Sequence, residues 1–187
     1  MLALVLAVVG CKGPAVVREI ELKAGWNLIS FDVQPADGRL PEVLESIAGS
    51  YKLVQGFDPV LGGLTFDPEL MEFSTLYEMD GKHGYWVWVE EDCALTVWGR
   101  ELAERQRLSL RTGWNLISYL PDEPRPVAEA LRSMEGKYER VVGWEPGVGS
   151  VTYDPALPGP LCELQEMKPG RGYWVRMREP GVLVYGE

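Results

Sequence analysis

Apolar and charged residues alternate from Ile20 to Lys23, the period of two that marks a strand with one buried face. Ala24-Gly25 reads as a turn, and the β-rich run Trp26 to Phe31 follows, so this stretch predicts a hairpin. Pro35 and Asp37-Gly38 break it. Leu40, Val43, Leu44 and Ile47 then fall on one face at helical spacing, and Gly49 supplies a stop. Tyr51 to Phe57 predicts a strand, Asp58 to Gly63 a turn, and Leu64 to Phe66 a short strand. Tyr85 to Val89 and Ala94 to Trp98 predict two more, joined by the acidic turn Glu90-Glu91-Asp92. The unit amounts to about six short strands and one short helix.

The pattern occurs twice. Gly25-Trp26-Asn27-Leu28-Ile29-Ser30 returns 88 residues later as Gly113-Trp114-Asn115-Leu116-Ile117-Ser118. At an offset of 87, Tyr51, Val54, Gly56 and Pro59 match Tyr138, Val141, Gly143 and Pro146, and Thr65-Phe66-Asp67-Pro68 matches Thr152-Tyr153-Asp154-Pro155. Val127, Ala130, Leu131, Met134 and Gly136 repeat the helix. The offset of 88 is restored where Gly84-Tyr85-Trp86-Val87 matches Gly172-Tyr173-Trp174-Val175. The expected fold is mainly β, of the α+β kind. Two tandem copies of a small antiparallel sheet or open barrel each carry one short helix. The expected boundaries are 1–11 for an export or lipoprotein signal, 12–19 for a tether, 20–99 for repeat 1, 100–107 for a polar linker and 108–187 for repeat 2.

These blocks resemble a tandem repeat of bacterial secreted and surface proteins. Its copies open on Gly-Trp-Asn-Leu-Ile-Ser and close on Pro-Gly-x-Gly-Tyr-Trp-Val. The second copy keeps the closing block as Pro169 to Val175, and the first departs from it with Gly81-Lys82-His83-Gly84. The resemblance covers nearly all of the chain after residue 20 and implies an extracellular module, without naming an activity.

Leu2 to Val9 is an apolar run too short to span a bilayer, and it fits the central part of an export signal. Val8-Val9-Gly10-Cys11 is similar to a bacterial lipobox, which implies lipidation of Cys11 and a membrane anchor through it. No Lys or Arg precedes the run, unlike such signals. Cys93 and Cys162 remain, as a disulfide or as two free thiols. The expected location is the bacterial envelope, lipid-anchored, or the extracellular space.

Charge narrows the partners. The chain carries a net charge of -10, which repels phosphate backbones and sets nucleic acid aside. Residues 20–99 hold 4 basic and 14 acidic side chains, against 9 and 11 in residues 108–187. His83 is the single histidine, in a glycine-flanked loop, where it reads as a polar turn residue. Asp58, Asp67 and Asp154, each before proline, read as turn residues, and Asn27 and Asn115 as buried amides tying loops to the sheet. Walker, dinucleotide and Cys-x-x-Cys motifs are absent, and no metal or cofactor is expected.

Comparing the copies points to binding residues. Trp26, Leu28, Tyr85 and Val87, with Trp114, Leu116, Tyr173 and Val175, are expected in the core. Trp86 and Trp88 share the other face of their strand. The matching face of the second copy reads Trp174, Arg176, Arg178, so Trp88 is expected to be exposed and able to stack on a sugar or a partner side chain. Asp80, Glu90, Glu91 and Asp92 are expected to form an acidic binding surface. The leading expectation is a non-catalytic exported module for binding, adhesion or scaffolding, with a glycan or envelope protein as partner. The alternative is a hydrolase whose acidic site, drawn from Asp67, Asp80, Glu90 and Asp92, lies between the repeats.

Overall fold

The computed structural model describes residues 15–186; Cys11 and the proposed signal lie outside them. The first copy comprises β1 (Ala15–Leu22), β2 (Gly25–Ile29), β3 (Val33–Pro35), α1 (Leu40–Val43), β4 (Tyr51–Asp58), β5 (Gly62–Phe66), β6 (Tyr85–Val89) and β7 (Cys93–Glu101). The second comprises β8 (Leu108–Leu110), β9 (Gly113–Ser118), β10 (Arg125–Pro126), α2 (Val127–Ala130), β11 (Tyr138–Glu145), β12 (Gly149–Tyr153), β13 (Glu166–Met167), β14 (Gly172–Met177) and β15 (Gly181–Leu183). The fold is mainly β, as the patterning predicts. Among the described residues all strand pairs are antiparallel, and no sheet closes into a barrel.

Each copy is built on a four-stranded sheet, in the order β2-β6-β4-β5 in the first and β9-β14-β11-β12 in the second. Both have a register shift at the same point, between Tyr51 and Leu53 and between Tyr138 and Arg140, which accentuates the local twist. Gly25 and Gly113 open β2 and β9 with φ of 93° and 88°, a left-handed turn that L side chains adopt at a cost. The two cores lie beneath these sheets. One gathers Leu22, Val33, Leu44, Val54, Val87 and Leu95, and the other Leu110, Leu131, Val141, Val175 and Leu183.

The predicted helices are shorter than their apolar faces. Leu40, Val43, Leu44 and Ile47 are all buried, but the α-helix ends at Val43 and a 3₁₀ turn, Glu45–Ile47, continues. Leu44, at φ -97° and ψ 11°, leaves helical geometry, so the same side chains reach the core with a tighter last turn.

Two boundaries change. Residues 15–19, expected in the tether, form the first half of β1, because β7 extends far enough to pair with them from Ala15↔Arg100 to Glu19↔Thr96. The linker is not free either. Glu101 pairs with Val33, the Leu102 N–H donates to the Asp32 carbonyl at 2.7 Å, and the Leu102 side chain is buried in the second core. The Arg18 guanidinium ties this region together, at 2.6 Å from both Asp32 and Glu101 and 3.6 Å from Asp122 of the second copy.

The copies pack through a seam that obeys the 88-residue offset. Ile29 bridges Arg171, and Ile117 bridges His83. The Ser30 N–H donates to the Gly170 carbonyl and the Ser118 N–H to the Lys82 carbonyl, both at 3.2 Å. Each contact exchanges with the other when the copies are exchanged, the mark of a twofold relation. Leu28 and Leu116 are buried yet belong to neither core. Ser30 Oγ donates to the Arg171 carbonyl at 2.6 Å and accepts the Tyr119 N–H at 3.1 Å; Ser118 Oγ donates to the Phe31 carbonyl at 3.2 Å. The shared Gly-Trp-Asn-Leu-Ile-Ser block therefore builds the seam as well as the strand.

Candidate functional site

Strand parity places tryptophan on the outer sheet faces. In β6, Tyr85, Val87 and Val89 are buried, while Trp86 and Trp88 point the other way and are half-buried. β14 repeats this with Tyr173, Val175 and Met177 inside and Trp174 and Arg176 outside. Trp26 and Trp114, expected in the core, lie half-buried on these outer faces, opposite Trp88 and Arg176. Their strands are covered on both sides, so apolar content alone did not reveal which parity faced the core.

Each outer face receives an aromatic ring from the other copy. Phe57 meets Trp174 edge-on at 4.9 Å, and its counterpart Trp144 meets Trp86 at 5.2 Å. The clusters are completed by Trp114 against Trp174 and Trp26 against Trp86, both near-perpendicular at 6.1 Å. They differ in chemistry. Trp144 Nε1 donates to the Trp26 carbonyl at 2.9 Å, whereas Phe57 has no such donor. Around Phe57, Trp114, Val142 and Trp174 an open recess of about 390 Å³ has almost purely apolar walls. Arg176 lies over the Trp114 ring at 5.8 Å and pairs with Glu139 at 2.6 Å, giving the recess a polar rim.

A cleft of about 370 Å³ adjoins this recess and shares Phe57 with it. Its walls include Asp58, Lys82, His83, Arg107, Ser109 and Arg111, drawn from both copies. The Lys82-His83 loop is tied down from two sides. The Tyr85 hydroxyl accepts the Asp80 N–H at 2.8 Å, and Asp80 Oδ1 accepts the N–H groups of Lys82 and His83 at 2.8 and 3.2 Å. Tyr173 repeats the first contact on Lys168 at 2.7 Å, which explains the tyrosine of the closing block.

His83 Nδ1 lies 2.8 Å from Asp80 Oδ1. Burial opposes the Asp80 charge, but His83 and the two N–H groups outweigh it and hold the carboxyl below its usual range. The hydrogen bond to Asp80 raises the His83 pKa against the effect of burial. The imidazolium therefore stabilises the fold below about pH 6.5, and that contribution is lost as pH rises through the higher folded value. For Asp80 the contribution is present above about pH 3.9 and is lost as pH falls through its depressed value. A proton NMR titration of His83 should give a midpoint above 6.5 that returns towards about 6.5 in Asp80→Asn. An unchanged midpoint would show that the pair is not formed.

The expected binding residues scatter. Trp88 is half-buried, between Trp26 on β2 and Leu53 on β4, because a central strand is covered by its neighbours. The exposed tryptophan is Trp98, on β7. Arg176 belongs to the recess, while Arg178 is exposed and only its N–H is engaged, with the Lys137 carbonyl. The expected acidic residues other than Glu91 have individual partners. Asp80 holds His83, Glu90 lies 3.7 Å from Lys52, Asp92 pairs with Lys23 at 2.9 Å, and Glu91 is exposed in the turn. Of the alternative acidic site, Asp67 accepts the Glu69 N–H, and Lys52 lies 3.3 Å from Glu69 and 3.7 Å from Glu90. The acidic group that does assemble, Asp32, Glu101 and Asp122, has Arg18 at its centre.

Other expectations find their place. Asp58 accepts the Val60 and Leu61 N–H groups, and Asp154 that of Ala156, as turn residues do. Cys93 and Cys162 are free, the first half-buried and the second buried. Burial, followed by Glu91 and Asp92, raises the Cys93 thiol pKa, which disfavours the thiolate. Sequence reasoning missed Phe57, Trp114 and Trp174 as a group, since Phe57 reaches the others only across the seam. Comparison with known proteins finds no family model, no curated protein and no solved structure that matches this chain.

Proposed function

We propose that the chain is a binding module that seats a ring with an apolar face, such as one unit of a saccharide, in the recess formed by Phe57, Trp114, Val142 and Trp174. The carrying observation is the recess itself, open, apolar and walled by aromatic faces and edges, with the Arg176-Glu139 pair at its rim. Sugar rings present apolar C–H faces and hydroxyl edges, which suit aromatic walls and a polar rim respectively. The lipobox-like sequence ending at Cys11 and the repeat resemblance support an exported, lipid-anchored setting at the bacterial envelope. In that setting the module acts in adhesion or scaffolding without catalysing a reaction. Among the described residues no helix is long and apolar enough to cross a membrane.

Titration of intrinsic fluorescence and heat with neutral and acidic hexasaccharides tests the reading. A saccharide should saturate the protein, and Trp174→Ala should weaken its binding about tenfold or more, as loss of a central aromatic anchor does. Failure of every saccharide to bind, or binding indifferent to Trp174→Ala, would sink it.

A further inference from the structure

The two clefts beside the seam share matched positions under the 88-residue offset but differ in the sign of their net charge. One is walled by Asp58, Lys82, His83, Arg107, Ser109 and Arg111. Arg107, Ser109 and Lys82 correspond to Glu19, Glu21 and Gly170, which line the other cleft with Asp32, Asp122 and the cations Arg18 and Arg171, so that four carboxylates there face two arginines, one of them paired with Asp32 and Asp122. The same fold thus holds a cationic cleft and an acidic one. The cationic cleft stands out against the net charge of -10, and among the described residues Lys82, Arg107 and Arg111 make no ion pair. The carboxylate there, Asp58, is already engaged by two N–H groups.

We infer that the cationic cleft takes the carboxylate of an acidic saccharide whose neighbouring ring occupies the aromatic recess. This rests on the reading of the recess as a sugar seat and names the class of sugar, a uronate. Two observations carry it: the shared wall at Phe57 and the change of charge at matched positions, Arg107 for Glu19, Ser109 for Glu21 and Lys82 for Gly170. Unpaired cations on converging elements focus potential into a cleft and favour an anion there. Lys82 and His83 come from the first copy, and Arg107 and Arg111 flank β8 of the second, so the site requires the assembled seam. The mate cleft, with four carboxylates against two arginines, disfavours the same ligand, so one ligand binds per chain. His83 faces Asp80 and Lys82 on its own loop, Asp58 from the β4-β5 turn, and Arg107 and Arg111 across the cleft. Its protonation adds positive charge, so uronate binding should strengthen from pH 8 to pH 6, where a uronate remains ionised.

The test is calorimetric titration of the whole chain with hexamers of galacturonate, mannuronate and hyaluronan, with cellohexaose as the neutral probe. At least one uronate should bind at least tenfold more tightly than cellohexaose, with one site per chain. Lys82→Gln/Arg111→Gln should erase that preference, His83→Gln should remove the pH dependence, and the exposed-strand control Arg100→Gln should change neither. All the substituted side chains are exposed, and circular dichroism checks that the variants fold. A preference that persists in the double variant, or two equivalent sites, would overturn the assignment of the cleft. Cellohexaose bound as tightly as every uronate, and dependent on Trp174, would also overturn it while leaving the recess reading standing. Binding of no saccharide at all would overturn both readings.

Discussion

Gly172→Val should lower stability by about 3 kcal/mol or more, the upper range for forcing side-chain volume into a filled site. In a chain of this size that is a fall of about 6 to 12 °C in Tm, read by thermal denaturation followed by circular dichroism. The cause is space rather than conformation, because Gly172 is not among the residues with positive φ. A Cβ at this position would stand 2.6 Å from the Ile29 carbonyl oxygen and 3.2 Å from the Gly84 Cα. Both obstacles are backbone, held there by the Ile29-Arg171 bridge and the Ser30-Gly170 hydrogen bond, so neither can turn aside. The halves would have to part, breaking the 2.6 Å contact from Ser30 Oγ to the Arg171 carbonyl. Gly84→Ala should be milder, since its Cβ would meet the Ile117 oxygen and Leu116 Cδ1 at 3.0 Å, and the leucine can shift. Gly63→Ala, with open space around it, should stay within about 0.5 kcal/mol. A Gly172→Val protein as stable as the parent would mean that the seam does not hold the copies together.

The strands were legible because their period is short and the self-comparison reads each position twice. The core face of β6 follows directly from Tyr85, Val87 and Val89 alternating with two tryptophans. β2 shows where that logic stops. Asn27 and Ile29 face the first core while Trp26 and Leu28 face the seam, and a strand apolar on both faces carries no parity signal. Phe57 and Trp144 occupy equivalent positions, yet their partners lie in the opposite copy, and sequence spacing does not encode that crossing. Trp88 was misplaced for a related reason. Its counterpart Arg176 is exposed, but Trp88 lies against Trp26 on one side and Leu53 on the other. The cationic cleft had a readable trace, the exchange of Arg107 for Glu19 at matched positions, which acquires meaning only once the seam brings Lys82 and His83 to the same place.

Asn115→Leu should cost about 3 kcal/mol, measured by denaturant unfolding, because the side chain satisfies three backbone groups at once. Its Oδ1 accepts the Arg111 N–H at 2.9 Å, and its Nδ2 donates to the carbonyls of Arg111 and Gly113 at 2.7 and 3.0 Å. Asn27 repeats the arrangement on Lys23 and Gly25 at 2.9, 2.7 and 3.1 Å, and both side chains are buried. Leucine matches the volume but leaves the donor and two acceptors without partners in a turn already constrained by Gly113 at φ 88°. Asn115→Asp should be no remedy, since a carboxylate keeps the acceptor and sets negative charge against two carbonyl oxygens. The two asparagines should then part in function. Asn115 fixes the backbone of Arg111, a wall of the cationic cleft, whereas Asn27 fixes Lys23, which pairs with Asp92. Asn27→Leu should therefore cost comparable stability and preserve the preference for uronate over neutral saccharide, while Asn115→Leu should lose both. Equal loss of preference in the two variants would mean that global loosening, rather than the placement of Arg111, governs binding.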